Sequence, residues 1–282
     1  MKNILIIGAN GFTGRRILND LSVNPIYHVT GCSLRDDICP GKDYRFVRTD
    51  IRDENEVRKL FKECRPDIVI NTSALSVPDY CETHHAEAEA TNVTAVETIA
   101  HVCEQYGSRF IHLSTDFVFD GKSTRLYKEE DEAIPVNYYG VTKLKAEKII
   151  ASICSNYAIV RVVVVYGKAL PGQHGNILQL VANRLRNGET IRVVSDQWRT
   201  PTFVGDISVG VEKLMFHTAN GIYHICGSEC LTIAEIAYRV ADFLKLDRSL
   251  IEPVTTEEMK EVTPRPRFSG LSIEKAKAEI GY

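Results

Sequence analysis

A tyrosine and a lysine stand four residues apart in the segment NYYGVTKLKAEK, at Tyr139 and Lys143. On a helix this spacing places both side chains on one face, so that the ammonium would lie near the phenol. A free phenol has a pKa of about 10 and is a poor acid at neutral pH, whereas a nearby ammonium favours the phenolate and lowers that pKa. The pair therefore predicts proton transfer by Tyr139, with Lys143 as its electrostatic partner.

A hydroxyl that could assist this chemistry comes from the sequence Ser114-Thr115, at the end of an apolar run. The run predicts a strand, and a hydroxyl at its carboxyl end could polarise a substrate carbonyl. The spacing Y-x-x-x-K arises by chance in many helices. Here it follows a glycine loop and a strand that ends in Ser-Thr, and this order indicates a catalytic site.

The glycine loop is GANGFTG, with Gly8, Gly11 and Gly14 directly after the first apolar run. Its spacing is G-x-x-G-x-x-G, not the G-x-G-x-x-G of the general dinucleotide fingerprint, but the physical demands are the same. The turn needs positive φ, the backbone must approach a pyrophosphate, and the start of a helix must face negative charge. The loop therefore predicts a bound dinucleotide.

The end of the second predicted strand distinguishes between the two nicotinamide dinucleotides. NAD enzymes of this fold usually carry an acid there, to accept hydrogen bonds from the ribose hydroxyls. This chain has Ser33 and Arg35, which suit a 2′-phosphate because guanidinium matches phosphate oxygens. Arg15 and Arg16 could add positive charge, while Asp36 and Asp37 follow closely. We therefore favour NADP(H) as the cofactor and keep NAD(H) open.

The elements that position these residues alternate between strands and helices, which predicts an α/β fold with a doubly wound parallel sheet. Asp53 with Glu56, and Thr232 with Glu235, predict capping boxes at two helix starts. A boundary near residue 166 would separate a dinucleotide-binding domain, 1–166, from a smaller substrate lobe, 167–282, of which about 200–225 would return to the first domain. The predicted strands are Asn3–Ile7, His28–Ser33, Arg45–Val47, Ile68–Asn71, Arg109–Ser114 and Ala158–Tyr166.

The composition points away from several other classes of protein. The 282 residues carry a net charge of −3 and 44% hydrophobic residues, with no basic block suited to nucleic acid or to an anionic membrane. No apolar stretch has the length of a membrane span and no secretory signal is visible, so we expect a cytoplasmic protein. The eight cysteines form no C-x-x-C pair, which predicts reduced, structural thiols and no metal site.

On these motifs the sequence resembles the extended short-chain dehydrogenases, and within them dTDP-4-dehydrorhamnose reductase and the regulatory subunit of methionine adenosyltransferase. The resemblance covers nearly the whole chain, and the combination of STDFVFDG with YGVTKLKAE is specific for this subgroup. It implies a Rossmann domain with a small carboxyl-terminal substrate lobe, and a catalytic trio of Thr115, Tyr139 and Lys143. Tyr139 and Lys143 would also contact the cofactor, together with Gly8, Asn10, Gly11, Phe12, Gly14, Ser33, Arg35, Asp50, Ile51, Thr72, Ser73 and Ala74. The implied substrate-binding residues are Ser76, Phe117, Val164, Gln197, Trp198 and Arg199.

Three functions remain open at this point. The first is NAD(P)H-dependent reduction of a keto group on a nucleotide-linked deoxysugar, as in dTDP-rhamnose biosynthesis, with a homodimer left open. The second is an NAD-dependent epimerase or a dehydratase of the same fold, although Phe117 follows Asp116 where family dehydratases have a second carboxyl. The third is a cofactor-binding regulatory subunit without turnover. Sugar reductases of this group usually have Tyr at the position of Phe117 and Trp at that of Val164, so the pocket would have fewer donors and less stacking surface.

Overall fold

The centre of the molecule is a parallel β-sheet, seen in a computed structural model that describes residues 1–40, 43–173 and 175–282. The sheet has seven strands in the order β11-β6-β5-β4-β1-β2-β3, and the alternation of strands and helices predicted from the sequence is confirmed. Across the described residues the strands are β1 (Lys2–Ile7), β2 (Tyr27–Ser33), β3 (Arg45–Arg48), β4 (Ile68–Asn71), β5 (Arg109–Thr115), β6 (Tyr157–Val162), β7 (Val165–Tyr166), β8 (Ile191–Val194), β9 (Trp198–Arg199), β10 (Thr202–Phe203), β11 (Gly221–His224), β12 (Leu231–Thr232) and β13 (Ile251–Val254).

Helices cover both faces of this sheet, and in the described part of the chain none is long and apolar enough to cross a membrane. A π-helical turn, Ala90–Thr94, joins the fourth helix to the fifth. The helices are α1 (Phe12–Ser22), α2 (Glu54–Cys64), α3 (Pro78–Thr83), α4 (His85–Glu89), α5 (Ala95–Tyr106), α6 (Tyr138–Ile153), α7 (Ile177–Arg186), α8 (Val204–Phe216), α9 (Ile233–Leu244), α10 (Thr256–Met259) and α11 (Glu274–Ile280).

The alternation of side chains along β1 shows why the sheet needs helices on both faces. Ile4 and Ile6 pack into a cluster with α1 and α8, while Leu5 and Ile7 pack into the opposite cluster with α2, α5 and α6. Successive residues of a strand point to opposite faces, so an uninterrupted apolar run is stable only when both faces are covered. Because β1, β2, β4 and β5 pair in parallel, their carboxyl ends share one edge of the sheet. Ligands bind at this edge in open α/β sheets.

The strand predicted over Ala158–Tyr166 is wrong in its extent. The central sheet keeps only β6, and β7 pairs with β10 in a separate two-stranded sheet. Val164, between them, has φ +37°, a conformation that costs a β-branched residue about 1–3 kcal/mol. The break is held by Thr202, whose hydroxyl donates to the Val163 carbonyl at 2.7 Å. A local pattern of valines could not reveal this contact from a distant segment.

The elements after residue 166 lie in two places. Helix α8 packs on α1, and β11 extends the central sheet beside β6. A separate apolar cluster is formed by α7, α9, β8 and β13. The predicted capping box of α9 is confirmed, since Thr232 and Glu235 each accept a hydrogen bond from the other's backbone N–H. At α2 only the cap is confirmed: Asp53 accepts from the helix start, but the Glu56 carboxylate accepts from the Asp50 N–H at 2.7 Å.

Candidate active site

The glycine loop between β1 and α1 is folded too tightly for side chains. Gly8 has φ +82°, in the left-handed region, and a Cβ there would lie 2.7 Å from the Ser73 nitrogen. A Cβ on Gly14 would lie 2.5 Å from the Thr72 hydroxyl oxygen. Both positions require glycine, because a side chain would push the loop away from the segment that follows β4.

The start of α1 has the features of an anion site. Its N-cap is Gly11, no side chain caps the free N–H groups, and its first turn contains no acidic residue. The free N–H groups and the helix dipole favour negative charge at this point, which is where dinucleotide-binding folds hold the pyrophosphate. The loop and Phe12, the first residue of the helix, therefore fit a dinucleotide.

A buried polar cluster joins the glycine loop to the segment after β2. The Arg15 guanidinium lies 2.5 Å from Asp37 Oδ1 and 2.7 Å from the Tyr44 hydroxyl. Asn10 accepts a hydrogen bond from Arg15 at 2.7 Å and donates one to the Arg35 carbonyl at 3.2 Å. Arg15 is committed to this cluster, so the expectation that it adds free charge near a 2′-phosphate is wrong.

The residues predicted to choose between the cofactors lie beside this cluster. Ser33 ends β2, and Arg35 is exposed two residues later. Arg48 of β3 is also exposed and stands opposite Ser33 in the strand register. Arg16, in contrast, is paired with Asp20 of its own helix at 2.6 Å. Two exposed arginines thus lie near Ser33, one along the chain and one across the sheet, and Arg48 was not singled out from the sequence.

Asp50 and Ile51 follow β3 at the same edge. Arg52 donates to the Asp50 carboxylate at 2.6 Å, and this hydrogen bond holds the pKa of the carboxyl below its usual value. Ile51 packs against the apolar cluster that contains α2. Asp50 therefore shapes the turn, while Ile51 offers the apolar surface that an adenine ring requires.

The segment after β4 is held against the glycine loop. The Thr72 hydroxyl donates to the Ile7 carbonyl at 2.9 Å, and the Ser73 hydroxyl donates to Asn71 Oδ1 at 2.6 Å. Ala74 is half-buried beside them. The three residues predicted along the cofactor, 72–74, are therefore anchored to β1 and β4 at the ligand-binding edge.

Helix α6 brings Tyr139 to the end of β5. The Asn137 side chain caps this helix by accepting from the Gly140 N–H at 2.9 Å. The Phe117 ring packs edge-on to the Tyr139 phenol ring with centroids 6.0 Å apart, and the Thr115 hydroxyl lies near enough to the phenol to act on its pKa. The structure thus brings Thr115, Tyr139 and Phe117 together at the carboxyl edge of the sheet.

The electrostatics of the Tyr139–Lys143 pair differ from the prediction. The buried Lys143 Nζ lies 2.8 Å from His112 Nε2. Burial lowers the pKa of Lys143 to about 8. Burial also raises the pKa of the Tyr139 phenol, as does the nearby Asp116 carboxyl, while the Thr115 hydroxyl acts in the opposite direction. The prediction that the pKa of Tyr139 is lowered is therefore wrong, because burial is the largest influence on the phenol and the net shift is upward.

A buried carboxyl group lies behind Thr115. Asp116 Oδ2 accepts a hydrogen bond from the Ser269 hydroxyl and lies 3.7 Å from Arg199 Nε. Burial raises the pKa of Asp116, and the Arg199 guanidinium opposes that rise. Arg199 is itself buried and donates to the carbonyls of Trp198, at 2.8 Å, and Pro266, at 2.7 Å. Arg199 therefore positions Asp116 and the segment around Pro266. Its guanidinium is not free to bind a diphosphate.

The remaining predicted substrate residues differ in their exposure. Gln197 is buried and donates to Glu261 at 2.9 Å, whereas Trp198 is 39% exposed. Ser76 is exposed just before α3, and Val164 is half-buried at the strained break after β6. Trp198 and Ser76 are therefore accessible to a ligand, whereas the buried Gln197 holds the segment that contains Glu261.

Several residues that shape the site were not identified from the sequence. Gln173, from the segment after β7, donates to the carbonyls of Asn10, at 3.0 Å, and Gly11, at 3.1 Å. Asp116 lies in the motif STDFVFDG, which carried the resemblance and could have suggested it, whereas Ser269 lies in the late segment RPRFSGL. His112 had only the weaker signal of a polar residue inside an apolar strand. In the described ranges no group of three or more His, Cys, Asp or Glu is arranged to hold a metal ion.

Oxidoreductases that use nicotinamide dinucleotides bind them at the carboxyl edge of a doubly wound sheet, against a glycine loop. With this edge and the Tyr139 phenol beside it, the molecule is an NAD(P)-dependent oxidoreductase of the extended short-chain dehydrogenase class, as the resemblance implied. More narrowly, the chain belongs to the family described as RmlD substrate binding domain, whose model matches residues 1–282.

Three comparisons show the range of proteins to which the chain is similar. It is 30% identical to the "Probable low-salt glycan biosynthesis reductase Agl14" of Haloferax volcanii, over 98% of this chain and 91% of that protein. It is 32% identical to methionine adenosyltransferase 2 subunit beta of Xenopus laevis, over 94% of this chain and 78% of that protein. The crystal structure of dTDP-4-dehydrorhamnose reductase from Bacillus anthracis in complex with NADP superposes with a TM-score of 0.86, at 26% identity, over 99% of this chain and 93% of that chain.

Proposed function

We propose that this protein reduces the keto group of a nucleotide-linked 4-keto-6-deoxysugar with NADPH, as a dTDP-4-dehydrorhamnose reductase does. The observation that carries the proposal is that Thr115 and the Tyr139 phenol lie near each other at the edge of the sheet that also presents the glycine loop. The NADP-bound reductase that superposes on the chain supports the same reaction and cofactor.

A nicotinamide held at this edge of the sheet would supply the hydride that the carbonyl carbon receives. The Thr115 hydroxyl donates to Asp116 Oδ1 at 3.1 Å, and rotation about its C–O bond would turn that hydrogen to the carbonyl oxygen. Tyr139 gives the same oxygen its proton as the alkoxide forms. The raised pKa of Tyr139 suits this direction of reaction, because the phenol stays protonated at neutral pH. Lys143, with its pKa of about 8, carries an ammonium at neutral pH and would donate to the nicotinamide ribose.

NADPH is favoured over NADH by the charge at the end of β2. Arg35 and Arg48 are both exposed and lie near Ser33, and this set of groups suits the 2′-phosphate. The acidic Asp37 lies close by, but it is engaged by Arg15 at 2.5 Å. A 2′-phosphate would therefore meet less repulsion from the Asp37 carboxylate than the sequence alone suggests.

The substrate pocket favours a deoxysugar. Phe117 places an apolar ring beside Tyr139, and the 6-methyl group of a 6-deoxysugar lies two bonds from the reacting C4. The half-exposed Trp198 ring can stack on the base or sugar. With Arg199 buried against Asp116, we assign the diphosphate to Arg265, whose side chain is 29% exposed. Arg265 lies 3.0 Å from Glu261 and 3.4 Å from Asp79, so the diphosphate would compete with these two carboxylates.

The test is to follow NADPH absorbance with a panel of dTDP-, UDP- and GDP-linked 4-keto-6-deoxysugars. We expect consumption with the dTDP substrates, and Tyr139→Phe should lower turnover by about 10²–10⁴-fold while leaving NADPH affinity nearly unchanged. Tyr138→Phe is the matched control. The Tyr138 hydroxyl donates to Glu89 at 2.8 Å, on the outer side of α6, so its loss should leave turnover intact.

The similarity to methionine adenosyltransferase 2 subunit beta gives the competing function of a cofactor-binding regulator. If NADPH binds but is consumed with none of the sugars, the reductase proposal fails and the regulatory function takes its place. If Tyr138→Phe, and not Tyr139→Phe, abolishes turnover, the assignment of the acid is wrong.

A further inference from the structure

A line of buried polar side chains runs from Lys143 to the segment after β4. Lys143 Nζ lies 2.8 Å from His112 Nε2, and His112 Nδ1 lies 3.2 Å from Asn71 Nδ2. Asn71 Oδ1 accepts from the Ser73 backbone N–H at 3.0 Å and from its hydroxyl at 2.6 Å. Asn71, His112 and Lys143 are all buried, so these contacts replace those that water would make.

The directions of these hydrogen bonds follow from the end at Ser73. A backbone N–H can only donate, so the Asn71 atom that faces it is the amide oxygen. The amide nitrogen of Asn71 therefore donates to His112 Nδ1, which accepts. A neutral imidazole has a single N–H, so its hydrogen is on Nε2 and faces Lys143. Burial holds the pKa of His112 well below its usual value, so the neutral ring is the form present at physiological pH.

This arrangement discriminates between the two forms of the lysine. An ammonium has three N–H groups and no lone pair, whereas a neutral amine can accept the hydrogen on His112 Nε2. Contact with His112 therefore favours the neutral amine of Lys143. The opposing group is the Glu147 carboxylate on the same helix, which favours the ammonium and is itself paired with Arg161 of β6.

Two other titratable groups near α6 act on the pKa of Tyr139 and not on that of Lys143. The Asp116 carboxyl, from the turn after β5, and the Cys81 thiol of α3 both raise the pKa of Tyr139. Among the described residues, the groups that act on the Lys143 amine are His112, by direct contact, and Glu147, by its charge. The balance between these two decides the form of the lysine.

We propose that His112 is a positioning residue that holds the Lys143 amine and, through the tautomer fixed by Asn71, opposes its protonation. Any consequence of this arrangement for turnover rests on the proposed reductase function of Tyr139 and Lys143. The histidine tautomer and the pH dependence of cofactor binding can be measured whether or not the protein is a reductase.

The tautomer can be measured in the native protein. Labelling the eight histidines with ¹⁵N and recording long-range ¹H–¹⁵N spectra distinguishes the two neutral tautomers from the charged ring. The His112 signals are those that disappear in His112→Gln. We expect a neutral ring with its hydrogen on Nε2 through neutral pH. A hydrogen on Nδ1, or a charged ring at neutral pH, would overturn the proposal.

The effect on Lys143 is tested by the pH dependence of NADPH affinity. This affinity should fall as pH rises through the lysine pKa, because the ammonium that donates to the ribose is lost. In Asn71→Asp the new carboxylate accepts the Nδ1 hydrogen, so that Nε2 becomes an acceptor for the ammonium. We expect the fall to move to higher pH by about one unit, since one neutral hydrogen bond corresponds to roughly that shift.

The double variant Asn71→Asp with His112→Gln distinguishes two causes of the shift. One is the hydrogen bonds that pass through His112, and the other is the direct effect of the new carboxylate charge on Lys143. We expect Asn71→Asp to shift the fall in affinity much less in the His112→Gln background. An equal shift in both backgrounds would show that His112 does not transmit the effect and would refute the proposal. If Asn71→Asp does not fold, the spectra of the native protein, assigned with His112→Gln, still decide the tautomer. Loss of turnover on every sugar with the shift intact would reject only the reductase function.

Discussion

The buried ion pair between Glu147 and Arg161 offers a direct test of how the fold supports the site. The two side chains are 3% and 2% exposed, and the Arg161 nitrogens lie 2.6 Å and 3.0 Å from the carboxylate oxygens. The Ser114 hydroxyl donates a third hydrogen bond to this carboxylate at 2.5 Å. The pair ties α6, which carries Tyr139 and Lys143, to β5 and β6.

Replacing Glu147 with glutamine keeps its size and removes its charge. The guanidinium of Arg161 is then left buried without a counter-ion, and removing one partner of a buried pair costs about 3–5 kcal/mol. We expect the free energy of unfolding to fall by that amount. Glu147 also favours the ammonium of Lys143, so its loss should lower the pKa of Lys143 from about 8. NADPH affinity should then begin to fall at a lower pH than in the native protein.

Urea unfolding followed by circular dichroism measures the first effect, and NADPH titration across pH measures the second. Glu54→Gln is the matched control, because Glu54 is also on a helix and paired with an arginine, Arg58, but the two side chains are 57% and 47% exposed. Such a pair contributes at most about 0.5 kcal/mol. If Glu147→Gln loses no more stability than the control, or leaves the pH dependence of NADPH affinity unchanged, the reasoning is refuted.

Three further predictions follow from the site and from one helix start. Arg35→Ala should weaken NADPH binding about tenfold and leave NADH nearly unchanged; calorimetry with both cofactors measures this, with Arg45→Ala, whose arginine pairs with Glu63, as the control. An equal loss for both cofactors would remove Arg35 from the 2′-phosphate site. The fluorescence of Trp198, the single tryptophan, should change when dTDP is added to the NADPH complex, and an unchanged spectrum would leave it a packing role. Thr232→Ala should lower the free energy of unfolding by about 1 kcal/mol through loss of the α9 capping box, and urea unfolding would contradict this if the midpoint stayed the same.

The sequence by itself determined the elements of the fold and the edge at which the site lies. The glycine spacing after β1, the apolar runs of the strands and the helical spacing of Tyr139 and Lys143 are local patterns, and local patterns predict local structure. The confirmed α/β fold and family follow from them. The roles of the individual site residues, and the domain boundary near residue 166, stay predictions that the experiments above can test.

Only the tertiary structure decided which polar groups meet. Arg15 is committed to Asp37, Arg199 to Asp116 and Lys143 to His112, and each partner is distant in the sequence. The same is true of the break after β6, where Thr202 bonds to Val163. The direction of a pKa shift depends on burial and on neighbouring charge together, and burial is a property of the packed chain. A spacing of four residues could therefore place Tyr139 and Lys143 on one helix face, but it could not show that loss of water, rather than the ammonium, sets the pKa of the phenol.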